Sequence, residues 1–198
     1  METTAIIMII IGYLAGSINS AIITCKLLGL PSPRTVGSGN PGATNVLRLG
    51  GKKAAIITLV GDALKGFIPV LIAYLLNLSP VYVACVALAA IIGHIFPIFF
   101  GFKGGKGVAT LIGVMFGFSW FIGLIFLGIW LLVAYTTKYS SLSSILATVL
   151  IPIAIYFFYG TYPTIIFGII AIIVVLRHHQ NIQRLIKGTE SKIGQKTK

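Results

Sequence analysis

Long apolar runs separated by short polar segments limit what this chain can fold into. The runs repeatedly approach the roughly 20 residues that a helix needs to cross a bilayer. Of the 198 residues, 57% are hydrophobic and 9% are charged, and the mean hydropathy is +1.03. A soluble domain does not have this composition. The sequence therefore predicts an all-α integral membrane protein.

Seven spans are predicted from the apolar runs and the breakers between them, at residues 3–25, 54–76, 80–100, 107–118, 119–137, 142–159 and 163–177. Glu2 precedes the first run in place of a basic stretch, so we expect a retained span and not a signal peptide. Residues 107–135 are ambiguous, because a helix of that length would measure roughly 43 Å, too long for one crossing and too short for two full ones.

Basic residues indicate how often the chain crosses there. Lysine and arginine are concentrated in the segment after the first span and in the C-terminal tail, and cytoplasmic loops carry such an excess. Both basic segments lie on the cytoplasmic side only if the ambiguous stretch crosses the membrane twice, as a short fourth span and a short fifth span. We therefore expect an extracytoplasmic N-terminus, a cytoplasmic C-terminus, one seven-helix domain over residues 1–188 and a solvated tail over 189–198.

The formal charge of +12 is spread over short loops and the tail. This distribution is typical of loops that face anionic membrane lipid and argues against nucleic-acid binding. Cys25 and Cys85 lie in or beside apolar spans, where we expect packing roles, and no disulfide or metal site is predicted. We expect the chain to act as a monomer.

Three short polar clusters contain nearly every side chain that could do chemistry. They are rich in hydrogen-bond donors and almost free of carboxylates, as a site for a phosphorylated molecule requires. The predicted topology brings all three, and the segment that ends at Ser141, to one membrane face. The candidate residues are Gly37, Ser38, Gly39, Asn40, Thr44, Asn45 and Arg48 in the first cluster, Lys103, Gly104, Gly105, Lys106 and Gly107 in the second, His178 and Asn181 beside Arg177 in the third, and Ser141 as a further substrate-binding residue.

Each cluster has a binding interpretation and a structural alternative. Glycines let backbone N–H groups turn toward an anion, and Arg48 could form a bidentate contact with a phosphate, although the first cluster could also be a flexible connector. In the second cluster, the helix dipole and Lys106 favour an anion, or the lysines anchor an interfacial turn. In the third cluster, His178 and Asn181 share a helical face and could project together toward a bound group. The alternative is that this basic helix end only anchors the protein on the cytoplasmic side.

Asp62 and Lys65 form an acid and base pair at i and i+3 inside the second span, where we expect structural pairing. His94 in the third span is expected to be a hydrogen-bonded packing residue. A His-x-x-x-x-Asp acyltransferase motif, a nucleophile elbow, a complete nucleotide-binding loop and a metal-binding carboxylate pair are all absent. The predicted site therefore uses phosphate binding and one imidazole, with no cofactor.

At these motifs the chain resembles the bacterial acyl-phosphate-dependent glycerol-3-phosphate acyltransferases, the PlsY family. The match runs in order from Gly-Tyr-Leu-Ala-Gly-Ser-Ile at 12–18, through the first cluster and Asp-Ala-Leu-Lys-Gly at 62–66, to Gly-His at 93–94 and Gly-Phe-Lys-Gly-Gly-Lys-Gly-Val-Ala-Thr at 101–110. It ends in Arg-His-x-x-Asn-Ile-x-Arg-Leu at 177–185, followed by Gly188 and Glu190. It covers almost the whole chain.

The resemblance implies a seven-span enzyme of the bacterial inner or plasma membrane whose site faces the cytoplasm. It implies acyl transfer from acyl phosphate to the 1-hydroxyl of glycerol 3-phosphate, giving 1-acylglycerol 3-phosphate and phosphate. Ser38, Arg48, His178 and Asn181 match the essential positions, the second cluster matches the glycerol-phosphate site, and Glu190 matches a structural glutamate. The alternatives are a transporter or channel for a phosphorylated solute and a noncatalytic scaffold.

Overall fold

The computed structural model describes residues 1–195, and over this range the chain forms helices and turns with no strand. The all-α class predicted from hydropathy is confirmed. The last three residues of the predicted tail, 196–198, lie outside the described range. The helices are α1 (Glu2–Gly16), α2 (Ser20–Leu27), α3 (Ala43–Leu75), α4 (Pro80–Ile95), α5 (Val108–Phe118), α6 (Trp120–Thr137), α7 (Ser140–Tyr159), α8 (Thr161–Arg177) and α9 (His179–Ile186).

Four to six segments of the described chain are long and apolar enough to cross a membrane. Helices α3, α6 and α7 qualify alone, and α4 qualifies together with the short 3-10 turn at Ile98–Phe100. The pairs α1 with α2 and α8 with α9 qualify as bent spans, with angles of 40° and 60°. Helix α5 has 11 residues, which gives a length of about 17 Å. The total of seven spans stays a prediction.

Two helices differ from the predicted spans. The first predicted span, 3–25, is interrupted between Gly16 and Ser20, where the side chain of Asn19 accepts a 3.1 Å hydrogen bond from the backbone N–H of Ile22 and caps α2. Helix α3 begins at Ala43, 11 residues before the predicted start at 54, and it kinks at Gly51, where φ is 72°. Hydropathy misses this early start because the added turns are polar.

Residues Met1–Phe118 form one compact unit, which contains α1 to α5. Glycines bring its helices into backbone contact: a Cβ on Gly16 would collide with the backbone of Ala90, and a Cβ on Gly93 with that of Tyr13. Close approach through small residues is the usual way that helices associate in lipid. Helices α1 and α4 therefore pack too tightly at these positions for larger residues.

The second compact unit begins at Ser119 and contains α6 to α9. The indole N–H of Trp130 on α6 donates a 3.1 Å hydrogen bond to the Ser144 hydroxyl on α7. Fully buried Phe126, Ile151 and Phe167 supply apolar packing from α6, α7 and α8. The backbone N–H of Ile193 donates a 2.7 Å hydrogen bond to the carbonyl of Lys138, which holds part of the segment after α9 in place. The predicted domain boundary at residue 188 stays a prediction.

Candidate active site

The first polar cluster comprises a loop, residues 31–42, and the first turns of α3. Asn45 in the first turn of α3 holds this loop and is 1% exposed. Its side-chain amide donates hydrogen bonds of 2.9 and 3.0 Å to the carbonyls of Pro33 and Val36, and its Oδ1 accepts a 3.0 Å bond from the backbone N–H of Ser38. The sequence predicts Asn45 as a substrate ligand, whereas all three of these bonds hold the loop itself.

Glycine is required in this loop for backbone geometry. Gly37 and Gly39 have φ values of 67° and 68°, in the left-handed region that favours glycine. A Cβ on Gly37 would also collide with the Asn45 side chain. The two glycines therefore form the turn on either side of Ser38.

Ser38, Thr44 and Arg48 are exposed, and Asn40 is half-buried. Thr44 and Arg48 are four residues apart on α3, so they lie on the same face of the helix. Gly42 is the N-cap of α3, and the first turn of a helix presents backbone N–H groups and the positive end of the dipole. This end of the first unit thus has donors suited to an anion.

The second polar cluster folds back onto the end of α4. The backbone N–H groups of Gly104 and Gly105 donate hydrogen bonds of 3.0 and 3.3 Å to the carbonyls of Ile95 and His94. These two amides were predicted to face a ligand, and in this structure they hold the loop instead. A Cβ on Gly104 would collide with the same two carbonyls, so only glycine permits this close approach. Lys106 is half-buried beside it.

Arg34 joins the first and second clusters, although no motif in the sequence marks it as a site residue. Its guanidinium donates from Nη2 to the carbonyl of Phe100 at 2.6 Å and to the carbonyl of Lys103. The whole chain has only three acidic residues, so most arginines must find carbonyl or phosphate acceptors. That scarcity of carboxylates is the only sequence signal that could have drawn attention to Arg34.

The predicted pairing of Asp62 with Lys65 is confirmed. Their Oδ1 and Nζ atoms are 2.9 Å apart, and both side chains are at most 5% exposed. The Lys65 ammonium also donates a 2.6 Å hydrogen bond to the carbonyl of Ile18 at the break between α1 and α2. This acid is therefore already neutralised by a neighbouring lysine.

In the second unit, His178 lies at the bend between α8 and α9 and is 2% exposed. Its Nδ1 is 2.7 Å from the carbonyl oxygen of Val174. Because a carbonyl can only accept, this contact places a proton on Nδ1, and the lone pair of the neutral ring then lies on Nε2. The arrangement fixes both the orientation and the tautomer of the imidazole.

The carboxylate of Glu190 binds Asn181 of the third cluster and two donors outside the cluster. Oε1 accepts hydrogen bonds of 2.7 Å from the Ser141 hydroxyl and 2.6 Å from the Asn181 amide, and Oε2 accepts a 2.6 Å bond from Arg184 Nε. Burial opposes ionisation of Glu190, but these three hydrogen bonds and the charge of Arg184 outweigh it and hold the pKa below its ordinary value. The contacts agree with the structural role that the resemblance implied.

Comparison with known proteins identifies the family. The family profile described as "Glycerol-3-phosphate acyltransferase" matches residues 6–188. The chain belongs to this family. Among curated relatives, the glycerol-3-phosphate acyltransferase of Francisella tularensis subsp. novicida is 61% identical over 190 residues, which cover 96% of this chain and 93% of the relative. That of Francisella philomiragia is 60% identical over 191 residues, which cover 96% and 94%.

Two solved structures have the fold of this acyltransferase. Both are crystal structures of PlsY (YgiH), an integral membrane glycerol 3-phosphate acyltransferase, in its glycerol 3-phosphate form and its lysophosphatidic acid form. The TM-scores are 0.91 and 0.88, at 40% and 39% sequence identity, and the matches cover 96% of each chain. The protein is thus an integral membrane acyltransferase with the PlsY fold.

Proposed function

We propose that this acyltransferase uses an acyl phosphate as its donor and acylates the 1-hydroxyl of glycerol 3-phosphate. The products are 1-acylglycerol 3-phosphate and inorganic phosphate, in a step of phospholipid synthesis. Family membership supports glycerol 3-phosphate as the acceptor, and so do the solved relatives in their glycerol 3-phosphate and lysophosphatidic acid forms. The donor and the acylated hydroxyl are the parts that go beyond the family name.

The observation that carries this proposal is the absence of carboxylates from the first two polar clusters. The three acidic residues of the chain are Glu2, Asp62 and Glu190. Asp62 is bound to Lys65, and Glu190 is bound to Arg184. The first two clusters contain no carboxylate but several basic side chains, and this composition favours phosphorylated substrates.

An acyl phosphate is a mixed anhydride, so the reaction needs no covalent enzyme nucleophile. The glycerol hydroxyl oxygen bonds to the acyl carbon, the bond from that carbon to the phosphate oxygen breaks, and phosphate leaves with the bonding electrons. Orientation of the reactants and stabilisation of negative charge account for the catalysis. Donor groups and one proton acceptor are sufficient for such a mechanism.

The proposed roles follow the clusters. The acyl phosphate is bound by the loop that contains Gly37, Ser38, Gly39 and Asn40. Thr44 lies on the same face of α3 as Arg48. Arg48 and the second cluster bind the phosphate of glycerol 3-phosphate, chiefly through Lys106. In the third cluster, Asn181 orients a phosphate group. Ser141 supports Asn181 indirectly, because both side chains bind the Glu190 carboxylate.

His178 accepts the hydroxyl proton in this proposal. The bond from Nδ1 to Val174 supports the role, because it leaves the basic lone pair of the neutral ring on Nε2. A substrate phosphate is the competing proton acceptor. His178→Gln keeps a hydrogen-bonding side chain but cannot take up a proton, so a kcat reduction of about 10² to 10⁴ is expected for loss of a general base. Nearly full turnover in this variant would assign the proton to phosphate.

The proposed topology has seven spans, a cytoplasmic C-terminus and a site at the cytoplasmic face of the bacterial inner or plasma membrane. The protein acts as a monomer, and the acyl chain reaches the site from the bilayer. Single cysteines replacing Asn77, between α3 and α4, and Lys192, after α9, test the topology by labelling in oriented vesicles. Asn77→Cys should label from outside and Lys192→Cys from inside, and labelling of both from one side would refute seven spans.

The activity is tested with purified protein, a long-chain acyl phosphate and glycerol 3-phosphate, by measuring phosphate release together with the acylated product. We expect release that depends on glycerol 3-phosphate and falls to background in Ser38→Ala. Turnover with acyl coenzyme A but not with acyl phosphate would overturn the donor, and full activity in Ser38→Ala would overturn the role of the loop. Solute uptake into sealed vesicles without phosphate release would instead favour a transporter.

A further inference from the structure

A buried polar network runs through the first unit and has no part in the proposed chemistry. Its members are Asp62 and Lys65 on α3, His94 on α4 and Thr110 on α5, with residue exposures of 2%, 7%, 4% and 0%. Buried polar and ionised side chains inside an apolar helix bundle are costly unless they are hydrogen-bonded to one another. Their contacts therefore show what the network holds in place.

The contacts connect three helices and the break between α1 and α2. Lys65 Nζ binds Asp62 Oδ1 at 2.9 Å and the Ile18 carbonyl at 2.6 Å. His94 Nδ1 is 3.0 Å from the Thr110 hydroxyl oxygen and 3.9 Å from Asp62 Oδ1. The imidazole of His94 thus lies between an ion pair on α3 and the first turns of α5.

His94 also contacts the second polar cluster on two sides. Its backbone carbonyl accepts a 3.3 Å hydrogen bond from the N–H of Gly105. A Cβ placed on Gly105 would collide with Nε2 of the same ring. Both the main chain and the side chain of His94 therefore fix Gly105, which directly precedes Lys106.

We propose that His94 is a positioning residue for glycerol 3-phosphate. Its ring, held by Thr110 and by the Asp62–Lys65 pair, supports the glycine loop at 104–107 and so places Lys106 against the substrate phosphate. The inference rests on the proposed binding of glycerol 3-phosphate by this loop. His94 itself touches no reacting atom in this proposal.

Steady-state kinetics with glycerol 3-phosphate as the varied substrate test the role. His94→Ala removes the support under Gly105, and we expect KM for glycerol 3-phosphate to rise about tenfold, as for the loss of one hydrogen bond to a charged group. We expect kcat and the KM for acyl phosphate to stay within about twofold, since a loop shift weakens substrate and transition-state binding equally. His94→Asn, whose amide reaches the position of Nδ1, should recover part of the loss.

A matched pair of threonines separates this role from general packing. Thr110→Val removes the hydroxyl that contacts His94, and it should raise KM for glycerol 3-phosphate in the same direction as His94→Ala. Thr58→Val removes a hydroxyl on α3 that is 0% exposed and has no hydrogen-bond partner among the described residues. It should leave KM unchanged. Because valine keeps the volume of threonine, this pair gives the answer even if His94→Ala does not fold.

Gly105 provides a second, independent readout. Gly105→Ala alone should raise KM because the new Cβ meets the His94 ring, and the added effect of Gly105→Ala should be smaller in the His94→Ala background. Additive effects in this double-mutant cycle would mean that the ring does not set the position of Gly105.

Lys106→Gln distinguishes failure of this inference from failure of the binding assignment. If Lys106→Gln raises KM for glycerol 3-phosphate and His94→Ala and Thr110→Val do not, positioning by His94 is overturned while the loop assignment stands. If none of the three variants changes KM, the loop does not bind this substrate and both proposals are overturned. A fall in kcat at constant KM in His94→Ala would also contradict a positioning role.

Discussion

The side-chain amide of Asn181 donates a 2.6 Å hydrogen bond to the carboxylate of Glu190, nine residues further along the chain. The same carboxylate oxygen accepts a bond from Ser141, and the other oxygen binds Arg184. One acidic side chain thus fixes the conformation of Asn181 in the third polar cluster and of Ser141 and Arg184 outside it. A residue that we assigned to the solvated tail is therefore part of the framework around His178 and Asn181.

Replacement of Glu190 should destabilise the second unit. Glu190→Ala leaves the buried donors of Ser141 and Asn181 without this acceptor, and each unsatisfied group costs about 1–3 kcal/mol. Glu190→Gln keeps one acceptor oxygen and should lie between wild type and alanine. The order of stability is measured by the unfolding temperatures of the purified proteins in detergent. Glu2→Gln makes the same chemical change at an exposed position and should have little effect, and equal unfolding temperatures for all four proteins would contradict the framework role.

The contribution of Glu190 should also depend on pH with a definite sign. Its pKa is lowered in the folded protein from the ordinary value of 4.5, so the fold favours the ionised form. The stabilisation is complete above pH 4.5 and is lost as the pH falls through the lower folded pKa. The gap in unfolding temperature between wild type and Glu190→Gln should therefore stay constant from pH 7 to 5 and close below 4.5. A gap that closes between pH 7 and 5 would assign the effect to another group.

Asn45→Asp should disable the first loop without unfolding the helices. The amide donates to two backbone carbonyls, and a carboxylate in its place can only accept, so it would repel both. We expect loss of most activity and a lower unfolding temperature, because the new carboxylate stands at a position that is only 1% exposed. The control is Asn77→Asp, at an exposed turn between α3 and α4. Normal activity in Asn45→Asp would mean that the loop does not need this frame.

Hydropathy predicts the helices well where the chain meets lipid. The predicted spans 119–137 and 142–159 correspond to Trp120–Thr137 and Ser140–Tyr159, because an apolar run ends where polar residues or breakers begin. The break between α1 and α2 was missed, since Ser17 and Asn19 barely interrupt a long apolar run. Hydropathy averages over a window, whereas a single capping side chain decides where a helix stops.

The framework of the candidate site could not be predicted from local sequence. The two carbonyls that Arg34 contacts are 66 and 69 residues away along the chain, and no local spacing encodes such contacts. Asn45 is a residue type that often binds substrates, but its side-chain amide is hydrogen-bonded to carbonyls of the loop. Composition identifies which segments are rich in donors, and only the folded chain shows which donors are already used.

Arg34 should affect substrate binding through its bridge between loops. Arg34→Lys keeps the charge but replaces the rigid guanidinium, whose Nη2 donates to both carbonyls, with a flexible ammonium. We therefore expect a rise of about tenfold in KM for at least one substrate, as for a lost hydrogen bond of a charged group. The kcat should change less. Lys53→Gln removes a positive charge at an exposed position on α3, and it should leave both KM values near wild type. If Lys53→Gln raises KM as much as Arg34→Lys does, substrate binding depends on the general positive potential and not on the bridge between the loops.

Two helical glycines should respond to alanine with opposite signs. A Cβ on Gly113 of α5 would collide with the Ala63 carbonyl and lie 3.0 Å from the backbone nitrogen of Phe67 on α3. Because backbone cannot yield as a flexible side chain does, Gly113→Ala should cost about 1–3 kcal/mol by overpacking. A Cβ on Gly128 of α6 would meet no described protein atom within 4 Å.

Gly128→Ala should therefore be neutral or stabilise the protein by up to about 1 kcal/mol, since alanine loses less conformational freedom in a helix than glycine. Unfolding temperatures of both variants in the same detergent provide the measurement. Because each substitution adds one methyl group to a helix, helix propensity alone predicts the same direction for both. A lower unfolding temperature for Gly113→Ala alone thus reports the close contact between α3 and α5, and a gain in both variants would show that these helices can separate at little cost.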